Sequence, residues 1–139
     1  LFWYLGNGYK VIFDNRVQVL TFEDDNIICR NEDDLKNFYD LECVAVFNKE
    51  IELCKKCFST LPEFTLKIRK MRTRWGVCNT KNKTITLNSE LLKKDISLID
   101  YVIIHEMAHF FEQNHSKDFW YLVEQAIPDY KEKRKRLKY

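Results

Sequence analysis

Hydrophobic and polar positions change rhythm several times along the chain, and each change marks an element. Over residues 4–30 the apolar residues come in short runs, Tyr9-Lys10-Val11-Ile12-Phe13, Val17-Gln18-Val19-Leu20 and Ile27-Ile28-Cys29. The turn signals Gly6-Asn7-Gly8 and Asp24-Asp25-Asn26 separate them, which predicts two or three antiparallel strands. Residues 31–34 then supply an Asn N-cap and an acidic first turn, suited to the positive end of a helix dipole. No Gly or Pro interrupts the chain from there to Leu61, so a long helix is predicted, ended by Pro62. Residues 64–78 return to strand character, with Leu66 and Ile68 alternating against Lys67 and Arg69. After turns at Trp75-Gly76 and Asn79-Thr80-Lys81-Asn82, Thr84-Ile85-Thr86-Leu87 is predicted to pair back as a hairpin.

Ser97 with Asp100 three residues later reads as a capping box, opening a strongly apolar helix over residues 98–113. Asn114 suits the left-handed conformation that ends a helix, Ser116 caps a further helix through Ile127, and Pro128 breaks the chain before a basic last helix. The predicted class is α+β: a strand region over residues 1–30, then a long helix, a small antiparallel sheet and the C-terminal helices over 31–139. With 139 residues, 45% of them hydrophobic, the chain suffices for one core and one domain over residues 1–139, and is excluded from the disordered class.

No apolar run approaches the roughly 18 residues of a membrane span. The opening Leu1-Phe2-Trp3-Tyr4-Leu5-Gly6 lacks a basic leader and a small-residue cleavage site, so no signal peptide is expected there. The five cysteines are odd in number, and a chain this long does not depend on disulfides, which places it in a reducing cytoplasm. The net charge of +2 hides an asymmetry: residues 1–60 carry 7 basic and 11 acidic side chains, residues 61–139 carry 16 and 10. A basic C-terminal half attracts anionic partners, although such a run is equally often a solvated face.

The candidate chemistry lies in His105-Glu106-Met107-Ala108-His109. Four-residue spacing on a helix stacks the two imidazoles on one face, one turn apart, where two nitrogens converge on a metal ion. Glu106 follows the first ligand directly, so its carboxylate reaches a coordinated water rather than the ion. Catalytic zinc takes three protein ligands and leaves its fourth position open. His115 is the candidate third ligand, and the chain's three histidines all fall within this window. Glu124 and Glu132 are the carboxylate alternatives to it. The outline HExxHxxxxxH departs from the metzincins, because Glu112 stands where that pattern needs Gly, and Met71 and Met107 both precede His115, leaving no Met-turn.

Five segments together resemble a known family: Arg72-Thr73-Arg74-Trp75-Gly76-Val77-Cys78, Ile85-Thr86-Leu87-Asn88, Asp100-Tyr101-Val102-Ile103-Ile104-His105-Glu106, Asn114-His115-Ser116 with Phe119-Trp120, and Pro128-Asp129-Tyr130-Lys131. They look like the YgjP-like metallopeptidase family, itself similar to SprT-type and WLM-type zinc proteins. The likeness covers most of residues 64–138. It implies a zincin-like fold with a metal-bearing HExxH helix, a Zn2+ ion bound by His105, His109 and His115, and Glu106 as catalytic base. Val77 departs from the Ser that this family usually carries before the Cys, so no hydroxyl acts at that position.

The expected function is zinc-dependent hydrolysis, with a polypeptide as the substrate. Candidate donors for the charge that develops on the attacked group are Arg72, Arg74 and Tyr130, and Trp75 reads as a turn anchor that also walls a substrate. Two alternatives share the same residues. One is a nucleotide pyrophosphatase in which Lys70, Arg72 and Arg74 clamp phosphate. The other is a nucleic-acid-binding module with a closed, purely structural zinc site and an inert Glu106. Cys54-Lys55-Lys56-Cys57 has no second Cys pair and reads as buried thiols on a helix face, and the basic run over residues 131–138 as a solvated helix face.

Overall fold

The computed structural model describes residues 1–139. Strands β1 (Phe2–Tyr4), β2 (Asn7–Phe13), β3 (Thr21–Glu23) and β4 (Asn26–Cys29) form one sheet in the order β1-β2-β4-β3. Helix α1 (Glu32–Lys55) follows, with Asn31 as its cap: the Asn31 side chain accepts from the Asp34 amide at 2.9 Å. A second sheet holds β5 (Thr65–Arg69), β6 (Gly76–Asn79) and β7 (Thr84–Asn88) in the order β5-β7-β6. A 3-10 helix (Ser89–Lys93) leads into α2 (Ile96–Ala108), α3 (Lys117–Ala126) and α4 (Tyr130–Leu137).

The mixed α+β class agrees with the sequence pattern, but the antiparallel sheet does not. Both sheets are mixed: β2 pairs with β4 in parallel, and β5 pairs with β7 in parallel, Leu66 beside Ile85 and Ile68 beside Leu87. The predicted strand over residues 64–78 is two strands, divided by the loop over 70–75, and both pair with β7. Burial explains the arrangement. Ile85 and Leu87 are fully buried, so β7 needs neighbours on both edges, and β5 and β6 supply them.

Helix α1 stops at Lys55, short of Leu61, and Phe58 just beyond it stacks on Phe111 at 5.6 Å. The cap of α2 is Asp95 rather than Ser97: the Asp95 carboxylate accepts from the Leu98 amide and from the Ser97 hydroxyl. Every residue of α2 from Tyr101 to Ala108 is buried, as expected of a helix apolar on all sides. It is packed by α1, α3, α4 and β6. Anything polar on α2 is therefore held in place by the core.

One such group lies at the contact of α1 with α2. Burial, and next the Glu50 carboxyl beside it, push the pKa of Asp100 up to about 7, while the Cys54 thiol donates weakly to it at 3.8 Å. The folded protein therefore keeps a proton that the unfolded chain releases near 3.9. Stability from this pair is complete below that value and is lost as pH rises through about 7. Urea melts should show a loss of about 1–2 kcal/mol between pH 5 and 8, allowing for solvent screening, and Asp100→Asn should flatten the profile. A profile of unchanged slope in Asp100→Asn would remove this pair from the account.

Candidate metal centre

His105 and Glu106 occupy the last turn of α2, and His109 is its C-cap. The helix ends earlier than residue 113, yet the four-residue spacing survives, since the cap residue keeps helical dihedrals. His115 lies in the connection to α3, next to Ser116, whose hydroxyl caps that helix by accepting from the Phe119 amide at 3.3 Å. The fold brings one ligand atom from each of His105, His109 and His115 within 4.8 Å of one another. Their ring centroids lie 4.9–5.2 Å apart. His105 is buried, His109 half-buried and His115 exposed, so the cluster opens toward solvent on one side.

The surrounding groups orient these rings. The His109 Nδ1 lies 3.1 Å from the carbonyl oxygen of Glu112, which can only accept, so the proton is on Nδ1 and Nε2 is left bare. The His105 Nδ1 lies 3.0 Å from the Glu106 Oε2, and the same argument applies to an ionised carboxylate. Phe119, fully buried, is a wedge 4.6–5.0 Å from all three rings. Desolvation, and then the neighbouring His105 and His109 rings, hold the His115 imidazole below its ordinary pKa.

Glu106 is only 3% exposed and lies against β6. The reason for Gly76 is steric: a Cβ there would stand 2.9 Å from the Glu106 Cγ and 3.0 Å from a Val102 methyl. A cleft of about 570 Å3 opens over the cluster, lined by His105, Glu106, His109 and His115 on one wall and by Arg74, Trp75, Gly76, Val77 and Cys78 on the other. Burial, then the charge of Glu106, pushes the Cys78 thiol up to about 12, so it stays protonated and unreactive.

The remaining predicted site residues divide. Arg74 and Trp75 line this cleft, whereas Arg72 and Lys70 line an adjoining groove. The Trp75 indole N–H donates to the Leu137 carbonyl at 3.0 Å, which anchors the wall. Tyr130 is buried behind the cluster: it stacks on Trp120 at 5.1 Å, and Trp120 stacks in turn on His115 at 5.7 Å. Its place is in the packing beneath His115, not in the cleft. Glu124 is exposed, and Glu132 pairs with Lys133 and Arg136, so neither belongs to the cluster. Cys54 is buried as the pattern implied, but Cys57 is exposed just beyond α1, and all five cysteines are unpaired.

One residue of the site escaped the sequence reading, and another entered it only as part of a motif, without its role. Tyr139 follows Lys138, whose left-handed dihedrals (φ 54°) turn the chain back toward α2. Its ring stacks on His105 at 4.4 Å and its hydroxyl donates to the Glu106 carboxylate. Burial, then the Glu106 charge and this hydrogen bond, hold the phenol far above its ordinary pKa. The other residue is Asn88, 4% exposed, which pins the loop over residues 70–75. Its Oδ1 accepts from the amides of Met71 (3.3 Å) and Glu90 (3.0 Å), and its Nδ2 donates to the carbonyls of Met71 (2.9 Å) and Arg74 (2.8 Å).

Two solved metallopeptidase zymogens resemble this chain over about two thirds of its length. The chain is similar to the zymogen of abylysin from Pyrococcus abyssi, with 27% identity and a TM-score of 0.61, over 66% of this chain and 90% of that one. It is similar in fold to the zymogen of jannalysin from Methanocaldococcus jannaschii, with 20% identity and a TM-score of 0.54, over 69% and 93% of the two chains. A search of curated proteins finds no match. Residues 2–139 match the family described as YgjP-like, metallopeptidase domain, and the chain belongs to that family.

Proposed function

We propose that residues 1–139 form a single zinc-dependent peptidase domain in which His105, His109 and His115 hold the metal and Glu106 is the general base. The observation that carries this reading is the convergence of three imidazole donors within 4.8 Å beside a buried carboxylate. The donor set fits the ion. Zinc–nitrogen bonds of about 2.0–2.1 Å in a tetrahedron place the nitrogens about 3.4 Å apart, within reach of small ring rotations, and neutral imidazoles with bare Nε2 atoms are its usual ligands. A bound zinc ion would act as a Lewis acid on water and on the substrate carbonyl.

The other steps belong to the chain. Glu106 takes a proton from water and returns it to the leaving amine. The Tyr139 hydroxyl and the His105 Nδ1 both meet the Oε2 of that carboxylate, which leaves its Oε1 to take the proton. Strand β6 is the edge of its sheet and lines the cleft, an arrangement suited to an extended polypeptide that adds as a further strand. Arg74 is the candidate donor to the developing oxyanion, and Trp75 walls the substrate. A pyrophosphatase is less well supported, because Lys70 and Arg72 lie outside the metal cleft. No helix is long and apolar enough to cross a membrane, and five unpaired thiols fit the reducing cytoplasm.

The reading is tested by offering the zinc-loaded protein a casein-like unstructured chain and, separately, nucleoside triphosphates. Proteolysis that stops on chelation supports it; phosphate or pyrophosphate release with the protein left intact overturns it. Gly76→Ala supplies a finer check. The added methyl must displace Glu106, so activity should fall about 10–100-fold with zinc content unchanged. Wild-type turnover in that variant would sever the link between β6 and the carboxylate.

A further inference from the structure

Beside the metal cleft, and continuous with it through Thr73, Arg74 and Trp75, runs a second groove of about 840 Å3. Its charged lining is Lys70, Arg72, Arg74, Lys93, Lys94 and Arg136 against only Glu90 and Asp95. Several of these cations are already committed. Lys93 pairs with Glu90 at 3.0 Å, Lys70 reaches the same carboxylate at 3.9 Å, and Arg136 pairs with Asp95. Arg72 and Arg74 have no acidic partner, and Lys94 has only the face of Trp75, at 5.5 Å. The two arginines stand on the loop that the Asn88 side chain fixes with three hydrogen bonds. A buried amide spent on an exposed loop fixes the backbone from which the two unpaired guanidinium groups reach out, which a merely solvated face does not require.

We infer that this groove selects acidic polypeptides: Arg72 and Arg74 receive Asp or Glu side chains that flank the scissile bond of a substrate lying in the adjoining cleft. The inference rests on the peptidase reading and adds its substrate class. A peptide fits better than a nucleic acid for two reasons. Glu90 and Asp95 interrupt the positive lining, which a peptide can accommodate by placing its carboxylates singly, whereas a phosphate backbone carries charge at every step. Of the two tryptophans that line the groove, Trp75 is covered by Lys94 and tied to Leu137, which leaves Trp3 alone where single-stranded nucleic acid uses a series of stacking faces.

The test uses two unstructured peptides that differ only in Glu or Gln at the positions flanking the cleaved bond. The zinc-loaded protein should cleave the Glu peptide with a kcat/KM about tenfold higher at low salt, the effect of two surface ion pairs, and the ratio should shrink as salt is added. Arg72→Glu, which leaves Arg74 of the metal cleft in place, should shift the preference toward a Lys peptide. Binding is read separately, by fluorescence anisotropy on zinc-loaded Glu106→Gln, which separates the two failures. If neither peptide is cleaved but the Glu peptide binds more tightly, the peptidase reading falls and the groove stands. Equal cleavage and equal binding of the two peptides overturn the groove assignment and leave the peptidase intact. Tighter binding of a single-stranded oligonucleotide of the same charge overturns it in favour of nucleic acid.

Discussion

Glu106→Gln is expected to lower kcat/KM on an unstructured polypeptide by about 10²–10⁴-fold while the protein keeps its zinc. The substitution preserves shape in a site where the side chain is 3% exposed and where Gly76 leaves no spare room. An amide oxygen can still accept from the His105 Nδ1 and from the Tyr139 hydroxyl, so neither the ring orientation nor the packing depends on the charge. What the amide lacks is the capacity to take a proton from water. The variant is therefore expected to melt close to the wild type, bind peptide, and fail in the chemical step. Progress curves at matched zinc content check this; undiminished turnover would assign the base to another group.

The second large effect concerns the proposed metal ligands. His109→Ala should cost more than about 100-fold in zinc affinity, since losing a partner of a ligand already costs about 10–100-fold and this change removes the ligand itself. It also deletes the ring that packs 4.6 Å from Phe119, so the apo protein should lose some stability, which separates this effect from that of Glu106→Gln. His115→Ala should lower zinc affinity in the same direction at a smaller cost in stability, because His115 is exposed and its ring leans on Trp120. Competition against a chelating dye measures both. Wild-type affinity in His115→Ala would exclude His115 from the ligand set.

Much of the centre is local, and that made it legible in the chain. His105, Glu106 and His109 share a helix whose 3.6-residue period alone places the imidazoles together, and His115 is only six residues further on. The Asn31 and Ser116 caps are equally local, each a side chain that meets an amide three residues ahead. The errors arose where distant segments compete. Ser97 loses the cap to Asp95, which also pairs with Arg136 from α4, a partner absent from any local pattern. Tyr130, nominated as a donor, became packing because Trp120 intervenes between it and His115.

From the amino-acid order alone came the resemblance to the family, carried by five motifs, and the α+β class and the histidine cluster, the last two because helix periodicity and capping act over a few residues. Tertiary structure decided the parallel pairing of β5 with β7, the Asn88 clamp on the arginine loop, the exclusion of a side chain at residue 76 and the seat of Tyr139 on Glu106. These contacts join residues far apart in the chain, and nothing in their near neighbours marks them. Burial selects them only when the whole core assembles, since each depends on which surfaces are left without water by all the others.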